Sequence, residues 1–114
     1  DIMRECIANE HSWDLCKSFA GASPVGSIAP VSEIGHPHHG AITLSVNGDT
    51  RQVGDISDLI WGAAEILSRL SHYSALHPGD IVFTGTPKGP RPVEKGDTLA
   101  GAIEGVGDLA IGIG

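Results

Sequence analysis

Hydrophobic and polar residues alternate most regularly in two short segments of this chain, which flank a tight turn. Residues 41–46 place apolar side chains at every second position, which is the period of a strand with one buried face. Asn47-Gly48 follows, and residues 49–53 form the second segment. Asn-Gly favours a two-residue hairpin turn with positive φ at both positions. We therefore predict a β-hairpin with strands at residues 41–46 and 49–53.

A longer period, of three to four residues, runs through the centre of the chain. Its apolar members fall on one helical face: Leu59, Ile60, Ala63, Ile66, Leu67 and Leu70. Ser57 stands where an N-cap is expected, and Asp58 follows in the first turn. The pattern predicts one packed helix over about residues 58–71. A shorter helix is predicted over residues 2–10, with Asp1 placed favourably at its N-terminus.

Short apolar runs that follow glycine-containing turns predict three further strands. They lie at residues 80–83, 98–103 and 108–113, and a short extended piece is predicted near residues 25–29. There are no internal repeats, low-complexity tracts or domain linkers in the sequence. These elements predict a single domain of the α+β class that is mainly β.

Composition and charge exclude several classes of partner. The 114 residues carry a formal net charge of −7 and no basic block, so a nucleic-acid partner is excluded. No apolar run approaches the roughly 20 residues of a membrane span, and no signal peptide is visible. Cys6 and Cys16 lack the spacing of a redox or zinc motif, and we expect both to stay reduced. We therefore expect a cytoplasmic protein without a membrane partner.

Residues 79–87 join a predicted buried strand to a turn that is rich in hydroxyl groups. Thr84 and Thr86 each offer a hydroxyl, and Gly85 lets a ligand approach the backbone N–H groups closely. Such a turn suits the binding of a carboxylate or an oxyanion. An ordinary turn at the end of a strand is the alternative that these residues alone leave open.

One loop concentrates histidines at positions 36, 38 and 39. Three imidazoles so close together occur in some metal-binding tracts. Pro37 stiffens the loop, however, adjacent side chains diverge, and no cysteine or acidic residue completes a tetrahedral set. We interpret this segment as a solvated loop. Three aspartates are interpreted as turn and cap residues: Asp55, Asp58 and Asp80.

The second half of the chain resembles the C-terminal end of the fumarylacetoacetate hydrolase family. In that family a Gly-Asp strand ends in a Thr-Gly-Thr-Pro turn, as in residues 79–87, and a second Gly-Asp strand follows, as at residues 96–99. Earlier motifs occur in the same order: Trp13-Asp14, Lys17-Ser18-Phe19, Ser23-Pro24, Val46-Asn47-Gly48 and Arg51-Gln52. Residues 35–37, 40–44 and 58–61 make the chain most similar to fumarylpyruvate hydrolases and other acylpyruvases. The resemblance covers essentially the whole chain.

This resemblance implies the family's mixed β-roll and a hydrolase that cleaves the carbon–carbon bond of a β-diketo acid in aromatic-compound catabolism. Lys17 matches the family's active-site lysine, which contacts the carboxylate or oxyanion of the substrate. Thr86 matches the turn threonine that hydrogen-bonds the same end of the substrate, and Gly85 lies beside it. The implied partners are a small 2-oxo or diketo acid and a second copy of the chain in a homodimer. Isomerases of hydroxydienedioates and decarboxylases of oxaloacetate belong to the same family and remain alternatives.

The resemblance also implies that the metal ligands lie upstream of Asp1. The family enzyme uses Mg²⁺ or Mn²⁺, held by two glutamates and an aspartate that match no position here, and a His-Glu pair that activates water lies earlier still. We therefore expect no metal ligand in this chain and no tight metal binding by it alone. Met3 stands where the family has a substrate-binding glutamine, and a thioether cannot replace an amide. A non-catalytic structural or dimerisation fragment is the remaining alternative.

Overall fold

Four strands and a few short helices make up the part of the chain that the structure describes. The computed structural model describes residues 2–114, so the predicted role of Asp1 at the first helix lies outside the described residues. Four helices are present: α1 (Ile2–Ala8), α2 (Asp14–Lys17), α3 (Val31–Ile34) and α4 (Ala63–Leu70). The strands are β1 (Ala41–Val46), β2 (Asp49–Asp55), β3 (Thr98–Ile103) and β4 (Gly107–Gly112). The prediction of a mainly β protein of the α+β class is confirmed.

The strands form one antiparallel sheet in the order β2-β1-β3-β4. β1 and β2 are joined by the predicted hairpin turn, where Asn47 has φ 52° and Gly48 has φ 87°. The Asn47 side chain also ties this turn to the start of β3, because its Oδ1 accepts from the Thr98 backbone N–H at 2.9 Å. Its Nδ2 donates to Asp97 Oδ1 at 2.7 Å. The hairpin prediction is confirmed, and the asparagine serves as a link between strands as well as a turn residue.

One face of the sheet carries the apolar side chains. Cross-strand pairing sets Leu44 opposite both Gln52 and Gly101, and sets Leu99 opposite both Val46 and Ile111. Alternate residues of β3 and β4 are half-buried on this face, whereas the residues between them are exposed. Because successive side chains of a strand point to opposite faces, the half-buried residues all lie on one face of the sheet. We call it the apolar face.

A β-bulge interrupts the hairpin at Arg51. Leu44 pairs with Gln52 and Ser45 pairs with Thr50, which leaves Arg51 without a partner on β1. A bulge places two consecutive residues against one partner residue and increases the local twist. Arg51 and Gln52 therefore both line a cavity on the apolar face.

The helix predicted over residues 58–71 forms only over Ala63–Leu70. Asp55 caps a separate 3₁₀ turn that precedes α4, and its carboxylate accepts from the Ser57 backbone N–H at 2.8 Å. Ser57 is therefore not an N-cap, and α4 itself begins after Gly62 without a side-chain cap. The Asp58 carboxylate accepts in return from the Asp55 N–H at 2.9 Å. This capping box closes a single 3₁₀ turn at Ile56–Asp58, after which the backbone is extended. The predicted start was wrong because the same cap sequence opens a 3₁₀ turn as readily as an α-helix.

The predicted buried strand at residues 80–83 does not form. A strand needs a neighbour whose backbone groups can pair with its own, and in this structure the segment lies beside α4 instead. Ile81 is 56% exposed and Phe83 is 64% exposed, so the prediction of burial was also wrong. Residues 25–29, predicted as a short extended piece, join no sheet, and Gly26 lies against Leu109 of β4.

The protein exposes more surface than a folded chain of its size. Its accessible surface is 8933 Å², against about 5900 Å² expected for a folded monomer of this mass. Within residues 2–114, Cys6 and Val46 are the only hydrophobic residues that are buried, at 4% and 7% exposure. No helix within residues 2–114 has the length and apolar character needed to span a bilayer. The apolar face and the helices therefore present a surface suited to further packing.

Candidate functional site

The hydroxyl-rich turn, residues 84–89, lies against strand β2. Gly85 has φ 109°, a region that residues with a Cβ rarely adopt, and an added Cβ there meets no atom within 4 Å. The space beside Gly85 is therefore open, as close approach of a ligand requires. Two residues of β2, Gln52 and Gly54, hold this turn on the apolar face.

The Gln52 side chain makes the polar contacts between β2 and the turn. Its Nε2 lies 2.7 Å from Pro87 O, 3.2 Å from Thr86 Oγ1 and 3.5 Å from Lys88 O. Gln52 is 8% exposed, and it is the only buried polar side chain within residues 2–114. A buried amide is tolerated only when its donors are satisfied. The turn supplies the acceptors that the buried amide needs, and these hydrogen bonds in return hold the turn against β2.

Gly54 allows the turn to approach the strand. A Cβ at this position would lie 3.0 Å from both Pro87 Cβ and Pro87 Cγ. Carbon atoms pack at about 3.5–4.0 Å, so the proline ring occupies the space that a side chain would need. Gln52 and Gly54 are two positions apart on β2 and so share one face of the strand.

Thr86 is exposed and accepts a hydrogen bond from Gln52 Nε2. A hydroxyl has one proton to donate, and within residues 2–114 the Thr86 hydroxyl donates that proton to no other group. The proton is thus available to an acceptor outside the chain. This arrangement is what the binding of a carboxylate requires, since a carboxylate only accepts.

Lys17 lies at the end of α2, and its side chain is exposed. Its Nζ stands 5.4 Å from the centroid of the Trp13 ring, in a cation–π contact. Cys16 contributes a second local contact, from its Sγ to Trp13 O at 3.0 Å. α2 packs against α1, and no hydrogen bond or ion pair within residues 2–114 joins Lys17 to the turn. The role of Lys17 beside Thr86 stays a prediction.

A small cavity adjoins the turn on the apolar face. Its volume is about 140 Å³, and it is lined by Leu44, Val46, Arg51, Gln52, Leu99 and residues 89–93. Two arginines, Arg51 and Arg91, lie among otherwise mostly apolar walls. Such a lining can enclose the carbon chain of a small organic acid while the arginines contribute positive charge.

Sequence reasoning named the turn but missed the part played by Gln52. The available signal was a polar residue at an inward position of a predicted strand, opposite the apolar Leu44. The bulge at Arg51 hid this signal, because it breaks the alternation that identifies inward positions.

The aspartates near the site act as backbone caps. Hydrogen bonds from Ser57, both its hydroxyl and its backbone N–H, hold the pKa of Asp55 below its usual range. The Gly40 N–H adds a further bond to this carboxylate at 3.3 Å. A carboxylate stabilised in this way is a poor proton acceptor. The interpretation of Asp55 and Asp58 as cap residues is therefore confirmed.

The described residues do not fit a divalent metal. Within residues 2–114 no group of three or more His, Cys, Asp or Glu side chains is placed to hold an ion. The loop histidines, His36, His38 and His39, are exposed. Met3 lies on α1, and a thioether is a soft ligand that neither Mg²⁺ nor Mn²⁺ prefers. We therefore derive no catalytic step of this chain through a metal.

Comparison with known proteins identifies relatives along the whole chain. Residues 2–113 match the family model described as fumarylacetoacetate (FAA) hydrolase C-terminal. The mitochondrial oxaloacetate tautomerase of Bos taurus is 40% identical over 106 residues, which cover 93% of this chain and 48% of that protein. The fumarylpyruvate hydrolase of a Ralstonia species is 38% identical over 102 residues, which cover 90% of this chain and 53% of that protein.

A solved structure shares the fold over almost the whole chain. The fumarylpyruvate hydrolase from Pseudomonas aeruginosa, in complex with Mn²⁺ and pyruvate, matches with a TM-score of 0.91 and 43% sequence identity. The match covers 99% of this chain and 48% of that one. This chain thus spans about half the length of the relatives that it matches.

Proposed function

Because this chain belongs to the fumarylacetoacetate hydrolase family, we propose that it forms the C-terminal part of an enzyme that cleaves a carbon–carbon bond in an acylpyruvate such as fumarylpyruvate. The observation that carries the proposal is the similarity to the Pseudomonas aeruginosa fumarylpyruvate hydrolase, whose structure contains pyruvate. Pyruvate is the product that such a cleavage releases. The exposed hydroxyl donor of Thr86 is consistent with binding of its carboxylate.

In this proposal the chain supplies the groups that bind and orient the 2-oxo acid end of the substrate. The Thr86 hydroxyl donates to the carboxylate, and the open backbone at Gly85 lets that carboxylate come close. Lys17 places a positive charge where the departing pyruvate becomes an enolate. The threonine thus contributes mainly to binding, and the lysine contributes mainly to the chemical step.

A divalent cation is the proposed cofactor of the whole enzyme, and its ligands are proposed to lie outside this chain. The related Pseudomonas aeruginosa structure contains Mn²⁺, whereas residues 2–114 provide no ligand set for such an ion. In the whole enzyme a divalent cation supplies Lewis-acid stabilisation of negative charge. Asp1 and the loop histidines have no part in this proposal.

We also propose a homodimer located in the cytoplasm. The support for association is the surface that this chain leaves uncovered, which includes Ile60 at 94% exposure. The support for a reducing compartment is that Cys6 and Cys16 are both free thiols.

A second candidate function is keto–enol interconversion of oxaloacetate. It is favoured by the relatives named oxaloacetate tautomerase, of which the bovine protein is 40% identical to this chain. Both reactions involve the enol form of a 2-oxo acid, so the same carboxylate-binding turn serves either. The two differ in whether a carbon–carbon bond breaks, and only the hydrolase releases pyruvate.

The test uses the full-length protein that carries this chain, supplied with Mn²⁺. Fumarylpyruvate and oxaloacetate are offered separately, pyruvate release is measured with a coupled lactate dehydrogenase assay, and enol decay is followed by ultraviolet absorbance. We expect pyruvate to be released from fumarylpyruvate. Enol decay of oxaloacetate without cleavage of fumarylpyruvate would assign the second function, and inactivity on both substrates would leave the structural alternative.

Two variants test the proposed residues. Lys17→Ala should lower kcat strongly, because it removes the cation that faces the developing enolate. Thr86→Val removes one neutral hydrogen bond, worth roughly 0.5–1.5 kcal/mol, and should chiefly raise KM. Lys95→Ala and Thr43→Val are matched controls on exposed positions away from the turn. An unchanged kcat/KM in Lys17→Ala would remove the lysine from the mechanism.

A further inference from the structure

Gln52 occupies a position where an apolar residue is expected. Its partner across the hairpin is Leu44, and the cavity beside it is walled by Val46 and Leu99. With 8% exposure, its amide has left water for a mostly apolar setting. Removing an amide from water costs free energy unless hydrogen bonds replace those to water. A polar group at such a position therefore needs an explanation beyond packing.

The contacts of Gln52 fix which end of the amide faces the turn. Pro87 O and Lys88 O are carbonyl oxygens, which only accept hydrogen bonds, so the NH₂ group must point towards them. The same nitrogen lies 3.2 Å from Thr86 Oγ1. Thr86 Oγ1 therefore accepts a hydrogen bond from the amide in this contact.

This direction of donation determines what Thr86 can do. Because its oxygen accepts from Gln52, the hydroxyl proton must point elsewhere. Thr86 is exposed, and within residues 2–114 its proton meets no acceptor. Without the amide at position 52, the Thr86 oxygen would lose the donor that fixes this orientation. The two amide protons suffice for Pro87 O and Thr86 Oγ1, which are the two shortest contacts of this nitrogen at 2.7 Å and 3.2 Å.

We propose that Gln52 is a positioning residue, which holds the turn on β2 and orients the Thr86 hydroxyl as a donor to the substrate carboxylate. This inference deepens the proposed function and rests on it, because it needs a carboxylate to bind at Thr86. Gln52 donates its amide protons to the turn and not to the substrate carboxylate. Its effect reaches the substrate through Thr86 alone.

The packing beside Gln52 supports the same role. Gly54, on the same face of β2, admits the Pro87 ring to 3.0 Å from the place where a Cβ would stand, which is tighter than an ordinary side-chain contact. One residue thus provides the space for the turn, and the other provides its hydrogen bonds. The bulge at Arg51 lies directly before Gln52 and sets the direction of its side chain.

A double-mutant cycle in the full-length enzyme tests the inference, with fumarylpyruvate as substrate. Gln52→Met keeps the length of the side chain and removes the donor, so KM should rise roughly 3- to 10-fold while kcat changes less. Thr86→Val should raise KM by a similar factor. In the Thr86→Val background, Gln52→Met should add almost nothing, because both changes remove the same interaction.

Gln52→His provides the matched rescue. Its Nε2–H lies at a similar distance along the side chain and still donates, so KM should return towards the wild-type value. A role in packing alone predicts the reverse order, since the flexible methionine fills the apolar site better than the imidazole. Melting temperatures of all variants separate loss of fold from loss of binding.

The outcomes separate failure of the inference from failure of the proposed function. If Thr86→Val leaves KM unchanged, no carboxylate binds at the turn and the inference is overturned, whereas release of pyruvate from fumarylpyruvate alone decides the proposed function. Suppose instead that Thr86→Val raises KM. If Gln52→Met alone leaves KM unchanged, or if the double variant raises KM by the product of the two single factors, the proposed function stands and the inference is overturned.

A measurement on the unaltered protein guards against a Gln52→Met variant that does not fold. The side-chain NH₂ resonances of Gln52 should shift when pyruvate is added to the enzyme with its metal. The shift should disappear in Thr86→Val, since the hydroxyl connects the two groups. Resonances that do not respond to pyruvate would overturn the inference.

Discussion

Gly54→Ala is the most direct perturbation of the contact between β2 and the turn. The added methyl group would lie 3.0 Å from two carbons of Pro87, which is about 0.5–1.0 Å shorter than a comfortable carbon–carbon contact. β2 is held in the sheet by its ladder with β1, so the turn has to move. A displacement of this size carries Thr86 with it.

The expected losses follow from that displacement. Overpacking at a tight contact destabilises a protein by about 1–3 kcal/mol. A misplacement of about 1 Å in a substrate-positioning group lowers the rate by up to roughly 100-fold. The Pro87 ring has to move by only a few tenths of an ångström, so we expect kcat/KM for acylpyruvate cleavage to fall by a smaller factor, roughly 3- to 10-fold, together with a lower melting temperature.

Gly101→Ala on β3 is the matched control. Its added methyl group would lie 3.8 Å from Leu44 Cδ1 and from Thr43 O, which is ordinary van der Waals contact. The same chemical change on the same sheet should therefore leave stability and kinetics close to wild type. If Gly54→Ala also matches wild type in melting temperature and kcat/KM, the turn is not held by this contact and our account of the site is incorrect.

Three further predictions concern other parts of the chain. Hydrogen bonds from the Glu94 N–H and the Asn47 amide lower the pKa of Asp97. The stabilisation from this carboxylate is therefore present above the ordinary aspartate pKa and is lost as the pH falls through the lowered value. Measured by urea unfolding between about pH 5 and pH 2, the free energy of unfolding should decline less steeply in Asp97→Asn than in wild type. Burial and the neighbouring Cys16 raise the pKa of the Cys6 thiol. Because the thiolate is the reactive form, mass spectrometry should find Cys16 alkylated by iodoacetamide before Cys6. The reverse order would contradict the packing of α1 on α2. The isolated chain exposes about 3000 Å² more than a folded monomer of its mass. It should therefore bind a hydrophobic fluorescent dye more strongly than the full-length protein does. Equal dye fluorescence with the two proteins would argue against an uncovered apolar surface.

Local signals predicted the sheet well. β1 and the hairpin turn follow directly from alternation and from Asn47-Gly48, because both depend on interactions between residues close in sequence. β3 and β4 were placed within a residue of their observed bounds. In each case the partner strand lies within the described chain, so the pattern and its pairing agree.

The prediction failed where a segment depends on a surface that residues 2–114 do not provide. The apolar residues Ile81 and Phe83 have the composition of a buried strand, but in this structure they find neither a partner strand nor a covering layer. The start of α4 failed for a local reason, since the capping box at Asp55 closes a 3₁₀ turn. Thr86 and Gly85 were predicted as substrate-binding residues and remain a prediction, whereas the contacts of Gln52 needed the register of β2.

The single unpaired residue in β2 has a consequence for insertions and deletions in this hairpin. A chain that lost Arg51 would keep every pairing between β1 and β2, because the register on the two sides of the bulge becomes continuous, but the strand would lose the bend and twist that the bulge adds. Gln52 and Gly54 would still share one face of the strand, but they would approach the turn at a different angle, since a bulge bends its strand. The unpaired residue between the Asn-Gly turn and this glutamine is therefore a constraint in its own right, and loop grafts or circular permutations should leave it intact.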